Sequence, residues 1–139
     1  MQYNISPETL LEERYPSVSV DKLLNEEVDL SGLEDVTVCP NGAMFTTKTR
    51  GFLPKLMEKI YSERVVFKKK MIQAKKDYEK KPTKALEKEI SRCNNIQMAK
   101  KIQLNSAYGA IGNQYFRYYM LANAEAITLG GQFSIRWIE

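Results

Sequence analysis

Histidine is missing from all 139 residues, and cysteine occurs twice, at Cys39 and Cys93, far apart and without C-x-x-C spacing. The lack of an imidazole excludes a His-paired nucleophile, and two distant thiols supply too few ligands for a structural zinc site. Both cysteines read as reduced, partly buried thiols. Long apolar runs are also missing. Nothing in the chain approaches the roughly 18 apolar residues of a membrane span, and the opening MQYNISPETLLEERYP has neither the basic start nor the apolar stretch of a secretory signal. A cytoplasmic protein without a membrane partner is expected. Proline and glycine are sparse, at five and seven residues, and the 43% hydrophobic content is ordinary for one modest domain with a single small core.

Acidic residues are scarce in the middle of the chain. Residues 1–50 hold nine acids and four bases, a net charge of −5, whereas residues 64–101 hold thirteen bases and four acids, a net charge of +9; the remaining segments are neutral, which leaves the formal +4 of the whole. A basic block of this density is either a solvated helix face or a surface for phosphate or nucleic acid.

The periodicity predicts a mainly α fold. Residues 1–35 read as irregular, with a helix start at Pro7 and a short helix around DKLLNEE. VTVCPNGAMFTTK places Asn41-Gly42 between two β-prone runs, the strongest local hairpin signal, so a β-hairpin is expected at about 36–47. Leu56, Ile60, Phe67, Met71, Ala74 and Tyr78 then follow helical spacing with no Gly or Pro between Lys55 and Lys81. Pro82 stops that helix, Thr83 is a candidate N-cap, and a second helix runs through Leu86, Ile90, Cys93, Ile96 and Ile102 to about Tyr108. A connection this short makes the pair a long antiparallel helical hairpin with a basic tip at Lys80 to Lys84. AEAITLGGQFSIRWIE reads as a buried helix in which Gly130 and Gly131 admit a close neighbour. Its abrupt stop at Glu139 suggests truncation within an element.

Within KKIQLNSAYGAIGN, Lys101, Asn105 and Tyr108 share one helical stripe, polar where a core stripe would be apolar. Arg64 and Lys68 share a face of the first helix, and antiparallel pairing brings them opposite the Lys101 neighbourhood. Clustered cations repel one another unless an anion joins them, and polyphosphate suits Arg and Lys together. Taken singly, Arg64 and Lys68 are more often an exposed helix face, and Tyr108 more often a core residue with its hydroxyl at the boundary.

KKIQLNSAYGAIGNQYFRYY closely resembles motif B of the family B DNA polymerases, K-x-x-x-N-S-x-Y-G, and its surroundings resemble the replicative enzymes of T-even-type bacteriophages over nearly the whole chain. NISPET is similar to the segment after motif A. VTVCPNGAMFTTKTRGFLPKLMEKIYSERVVFKKKM is similar to the palm hairpin leading into the first fingers helix, and AITLGGQFSIRWIE to the palm helix after motif B. The resemblance implies partial palm over 1–50, a fingers hairpin over 51–112 and palm re-entry over 113–139. It implies that Arg64, Lys68, Lys101 and Asn105 hold the triphosphate of an incoming dNTP, with Lys101 as the catalytic residue that protonates the departing pyrophosphate. It implies that Tyr108 packs beneath the nascent base pair, and that Gly109 lets the template base pair come close.

The family's metal-binding aspartates, in motif A and in a downstream D-T-D motif, have no counterpart among Asp21, Asp29, Asp35 and Asp77. Magnesium (Mg2+) is therefore expected in a complete polymerase and not on this chain, which should be inactive alone. At Met120 and Ala122 the chain departs from the aspartate and arginine expected of the family. The partners implied are dNTP, primer-template DNA and the remaining polymerase segments, with a homodimer as a further way to cover apolar surface. A non-enzymatic basic hairpin that binds nucleic acid or protein through its tip is the alternative, and one subunit of a split polymerase is a third reading.

Overall fold

The computed structural model describes residues 1–139. Four helices and one small sheet make up the chain, so the fold is mainly α as the periodicity predicts. Its backbone divides into two compact units: residues 1–55 with 108–139, and residues 56–107.

The first unit is built on three antiparallel strands, β1 (Leu10–Arg14), β2 (Val36–Val38) and β3 (Ala43–Thr46), in the order β1-β3-β2. The expected hairpin is β2 and β3, with Val36 opposite Thr46 and Val38 opposite Met44. Its turn is closed by Gly42 N–H donating to Cys39 O at 2.8 Å and Cys39 N–H to Ala43 O at 2.9 Å. Gly42 has φ of +83°, and a Cβ there would stand 2.7 Å from the Tyr15 carbonyl oxygen, so the turn requires glycine twice over. The Asn41 side chain spans outward, accepting from Ala43 N–H at 3.1 Å and donating to Ala122 O at 3.0 Å.

The helix start expected at Pro7 is not formed, and β1 follows there instead. Thr9 Oγ1 donates to Asn4 O at 2.6 Å, and Asn4 Nδ2 donates to the carbonyls of Thr46 and Thr49, while Asn4 Oδ1 accepts from Gly51 N–H. These bonds carry residues 10–14 along the open edge of β3, where the strand pairs Leu10 with Phe45 and Arg14 with Ala43 across an irregular register. A free sheet edge outweighs the helical propensity of LLEER. The short helix expected near DKLLNEE is α1 (Val20–Leu24), capped by Ser19.

The core of this unit is Cys39, Ala43, Phe45 and Ala126, all fully buried, with Tyr3, Ile5 and Leu10 packed around them. Burial pushes the Cys39 thiol up to about 12. Two long helices, α2 (Phe52–Lys80) and α3 (Lys84–Ile111), precede α4 (Leu121–Ile138). Helix α4 buries Ala122, Asn123, Ala126 and Gly130, a stripe of small residues at four-residue spacing. A Cβ on Gly130 would touch the Tyr3 ring at 3.4 Å, as expected of a close approach, whereas Gly131 faces open space. The expectation of a buried helix holds for one face only, because Ile135, Trp137 and Ile138 are exposed. An Arg136–Asp21 ion pair at 2.7 Å joins α4 to α1.

Helix α2 starts earlier than the sequence expectation and α3 ends later. Pro54 sits in the first turn of α2, where its missing N–H is harmless. Thr83 caps α3 as predicted, its Oγ1 accepting from Leu86 N–H at 3.2 Å. Helix α3 continues past Tyr108 through Gly109 to Ile111, because one glycine costs a helix only about 1 kcal/mol.

Candidate functional site

Within residues 56–107, α2 and α3 run antiparallel through side chains of mixed character. Ala74, Cys93 and Gln97 are buried, and Lys100 Nζ donates to Glu63 Oε2 between the helices. That bond holds the Glu63 carboxyl below its usual range. Lys70, seven residues beyond Glu63, acts electrostatically on Cys93, seven residues before Lys100. The Glu63–Lys100 contact sets a register in which 63 is about level with 100, and the electrostatic reach of Lys70 to Cys93 agrees with it.

That register fixes where the sequence-predicted residues lie. The pair meeting at the seam is Glu63 and Lys100, one residue before the expected Arg64 and Lys101. Each further residue rotates a helix by about 100°, and in antiparallel helices this turns Arg64 and Lys101 to the same flank of the seam. Lys68 and Asn105 follow one turn along each helix on that flank. Lys68, Lys101 and Asn105 are exposed, and none of the three cations joins an ion pair. Arg64 is half-buried, and its Nε is fully buried with no hydrogen-bond partner.

Elsewhere on α3 one cation is paired within its own helix. Arg92 makes a two-pronged contact with Glu89, at 2.7 and 3.0 Å, which lowers that carboxyl to about 2, with Cys93 Sγ–H as a second donor at 3.4 Å. Burial, and then this bond to Glu89, push the Cys93 thiol up. Arg92 is thus matched by a carboxylate, whereas Arg64, Lys68 and Lys101 are not.

Tyr108 and Gly109, at the end of α3, belong to the first unit. Tyr108 is 47% exposed, and its hydroxyl lies 2.7 Å from Thr128 Oγ1. Thr128 spends its single proton on Ala124 O at 3.1 Å, so Tyr108 is the donor. The phenol oxygen keeps its acceptor lone pairs and the ring is fixed at two points. A Cβ at Gly109 would meet nothing within 4 Å, so the backbone there is open to a flat neighbour. Thr128, Glu63 and Lys100 were not legible as partners, since each acts across a gap of at least 20 residues.

No group of three or more His, Cys, Asp or Glu side chains stands close enough to hold a metal ion. No helix is long and apolar enough to cross a membrane.

Comparison with known proteins agrees with the motif. A family model described as DNA polymerase family B matches residues 1–137. The DNA-directed DNA polymerase of Enterobacteria phage T4 is 29% identical across 99% of this chain, and that of Escherichia phage RB69 28% identical across 99%, each alignment covering 20% of the phage protein. A solved family B DNA polymerase from the hyperthermophilic archaeon Pyrobaculum calidifontis superposes with a TM-score of 0.67 at 26% identity, over 98% of this chain and 15% of that one. The chain spans about a fifth of the length of the phage polymerases it matches.

Proposed function

The chain belongs to DNA polymerase family B, and we propose that its helical hairpin is the fingers element that grips the triphosphate of an incoming dNTP. The observation that carries this reading is the flank bearing Arg64, Lys68, Lys101 and Asn105, where no cation joins an ion pair and the Arg64 Nε is buried without a partner. Arg64 supplies a planar fork and Lys68 a compact charge for phosphate oxygens, and Asn105 an amide to orient them. Lys101 contacts the same phosphates and, as the catalytic residue, protonates the departing pyrophosphate. Tyr108 supports the nascent base pair, and Gly109 leaves its backbone open to the template base.

The metal-binding aspartates lie outside this set of residues, so the chain alone has no polymerase activity. Mg2+, primer-template DNA and the remaining polymerase segments complete the enzyme in the phage-infected cytoplasm. In the isolated chain a second copy covers the exposed apolar end of α4.

Titration of a fluorescent dNTP tests the reading. Arg64→Ala and Lys101→Ala each weaken binding about tenfold, or ~1.4 kcal/mol, while Lys80→Ala, Lys81→Ala and Lys84→Ala at the tip change it little. Greater sensitivity at the tip, or primer extension by this chain with magnesium, overturns it.

A further inference from the structure

Gln97 is a polar side chain only 7% exposed, in the middle of a seam where a hydrophobic residue would pack more cheaply. Its Nε2 donates to Asn94 Oδ1 at 3.0 Å, which orients the amide. In the register set by Glu63–Lys100, Gln97 is level with residue 66, between Arg64 on one side and, through Asn94, the level of residue 69 on the other. Its amide nitrogen is turned toward Asn94, which leaves its carbonyl oxygen to accept. Across the seam, on the same flank, the Arg64 Nε–H is buried and unpartnered. A buried donor without an acceptor costs roughly 1–3 kcal/mol, and by register Gln97 Oε1 is an acceptor close to its level.

We propose that Gln97 is a positioning residue for Arg64: when an anion binds, its Oε1 accepts the Arg64 Nε–H and leaves both Nη groups of the fork for phosphate oxygens. Asn94 serves this arrangement by holding the Gln97 nitrogen. No bond is made or broken covalently. The gain is in orientation, because an arginine held at Nε presents its two remaining arms in one plane. The inference rests on the triphosphate reading of the flank.

The test is binding of a fluorescent dNTP to the full chain carrying Gln97→Leu, Arg64→Ala, or both. Gln97→Leu keeps the buried volume, and is expected to weaken binding about threefold to tenfold with unchanged helix content and melting midpoint. The double variant is expected to bind no worse than Arg64→Ala alone, a coupling that a purely structural glutamine would not produce. Should Gln97→Leu disturb folding, Asn94→Ala, an exposed change that frees the amide, is expected to give part of the loss. If Arg64→Ala weakens binding and the Gln97 and Asn94 variants do not, or if the losses simply add, the positioning role is overturned and the triphosphate reading stands. If Arg64→Ala has no effect, both fall.

Discussion

Among single residues, the one most firmly placed is Tyr108. Its hydroxyl donates to Thr128, which donates onward to Ala124 O, so the phenol is one link in a directed chain. Thr128→Val removes the acceptor while preserving shape and is expected to cost about 0.5–1 kcal/mol, as is Tyr108→Phe, with the double variant costing no more than either alone. Urea denaturation of the three variants measures this, and additive losses would show that the two hydroxyls do not act on each other. Tyr108 itself was legible, because N-S-x-Y-G puts it on a polar stripe with Lys101 and Asn105. Thr128 was not. A threonine inside a helical pattern carries no mark of a partner on another helix, and that information exists only once α4 is folded beside the end of α3. Arg64 and Lys68 were legible as a pair by spacing, but the ion pair that sets their level, Glu63 with Lys100, exists only between helices already folded together.

At the scale of elements, two glycines predict opposite outcomes from one substitution. Gly131 lies inside α4 with nothing within 4 Å of where a Cβ would stand, so Gly131→Ala gains helix propensity without a clash, and stability should rise by about 0.5–1 kcal/mol. Gly42 sits at φ +83° against the Tyr15 carbonyl, so Gly42→Ala strains the backbone and displaces β1 or the turn, and the melting temperature should fall. Differential scanning calorimetry of the two variants reads both signs. The hairpin α2–α3 has its own dependence on pH. Glu89 is held near 2 by Arg92, and Glu63 is held low by Lys100, against an unfolded value of 4.5. A depressed folded value means the contribution is fully present above pH 4.5 and is lost as pH falls toward 2. Helicity followed by circular dichroism should therefore decline through that window, and Glu89→Gln should flatten the decline. The long helices were readable from their period and from Pro82, and the β2–β3 turn from Asn-Gly, since each signal is local. Strand β1 was hidden because LLEER is a fair helix sequence, and only the unpaired edge of β3, about 30 residues away, makes it a strand.

The molecule as a whole divides its charge as it divides its backbone. Residues 56–107 carry fourteen bases and six acids, a net of +8, and the rest seven bases and eleven acids, a net of −4. The basic unit suits a polyanion, and any affinity it has for nucleotide or DNA falls as salt rises. The other unit has a different surplus. Leu121, Ile135, Trp137 and Ile138 on α4, and Tyr115 before it, are exposed, with Trp137 at 64%, while the buried stripe of the same helix is made of small residues that contribute little apolar area. Ile135, Trp137 and Ile138 gather at the end of α4, and exposed apolar side chains gathered together mark an interaction surface more often than bare surface. The cover proposed above is a second copy, which a closed two-fold contact would supply. Light scattering should give a dimer at high protein concentration. Trp137→Lys, which replaces an exposed ring by a charge, should return the monomer with its circular dichroism spectrum unchanged. A monomer at every concentration would mean that α4 tolerates water as it stands, and would remove self-association from the account while leaving the nucleotide grip on α2 and α3 untouched.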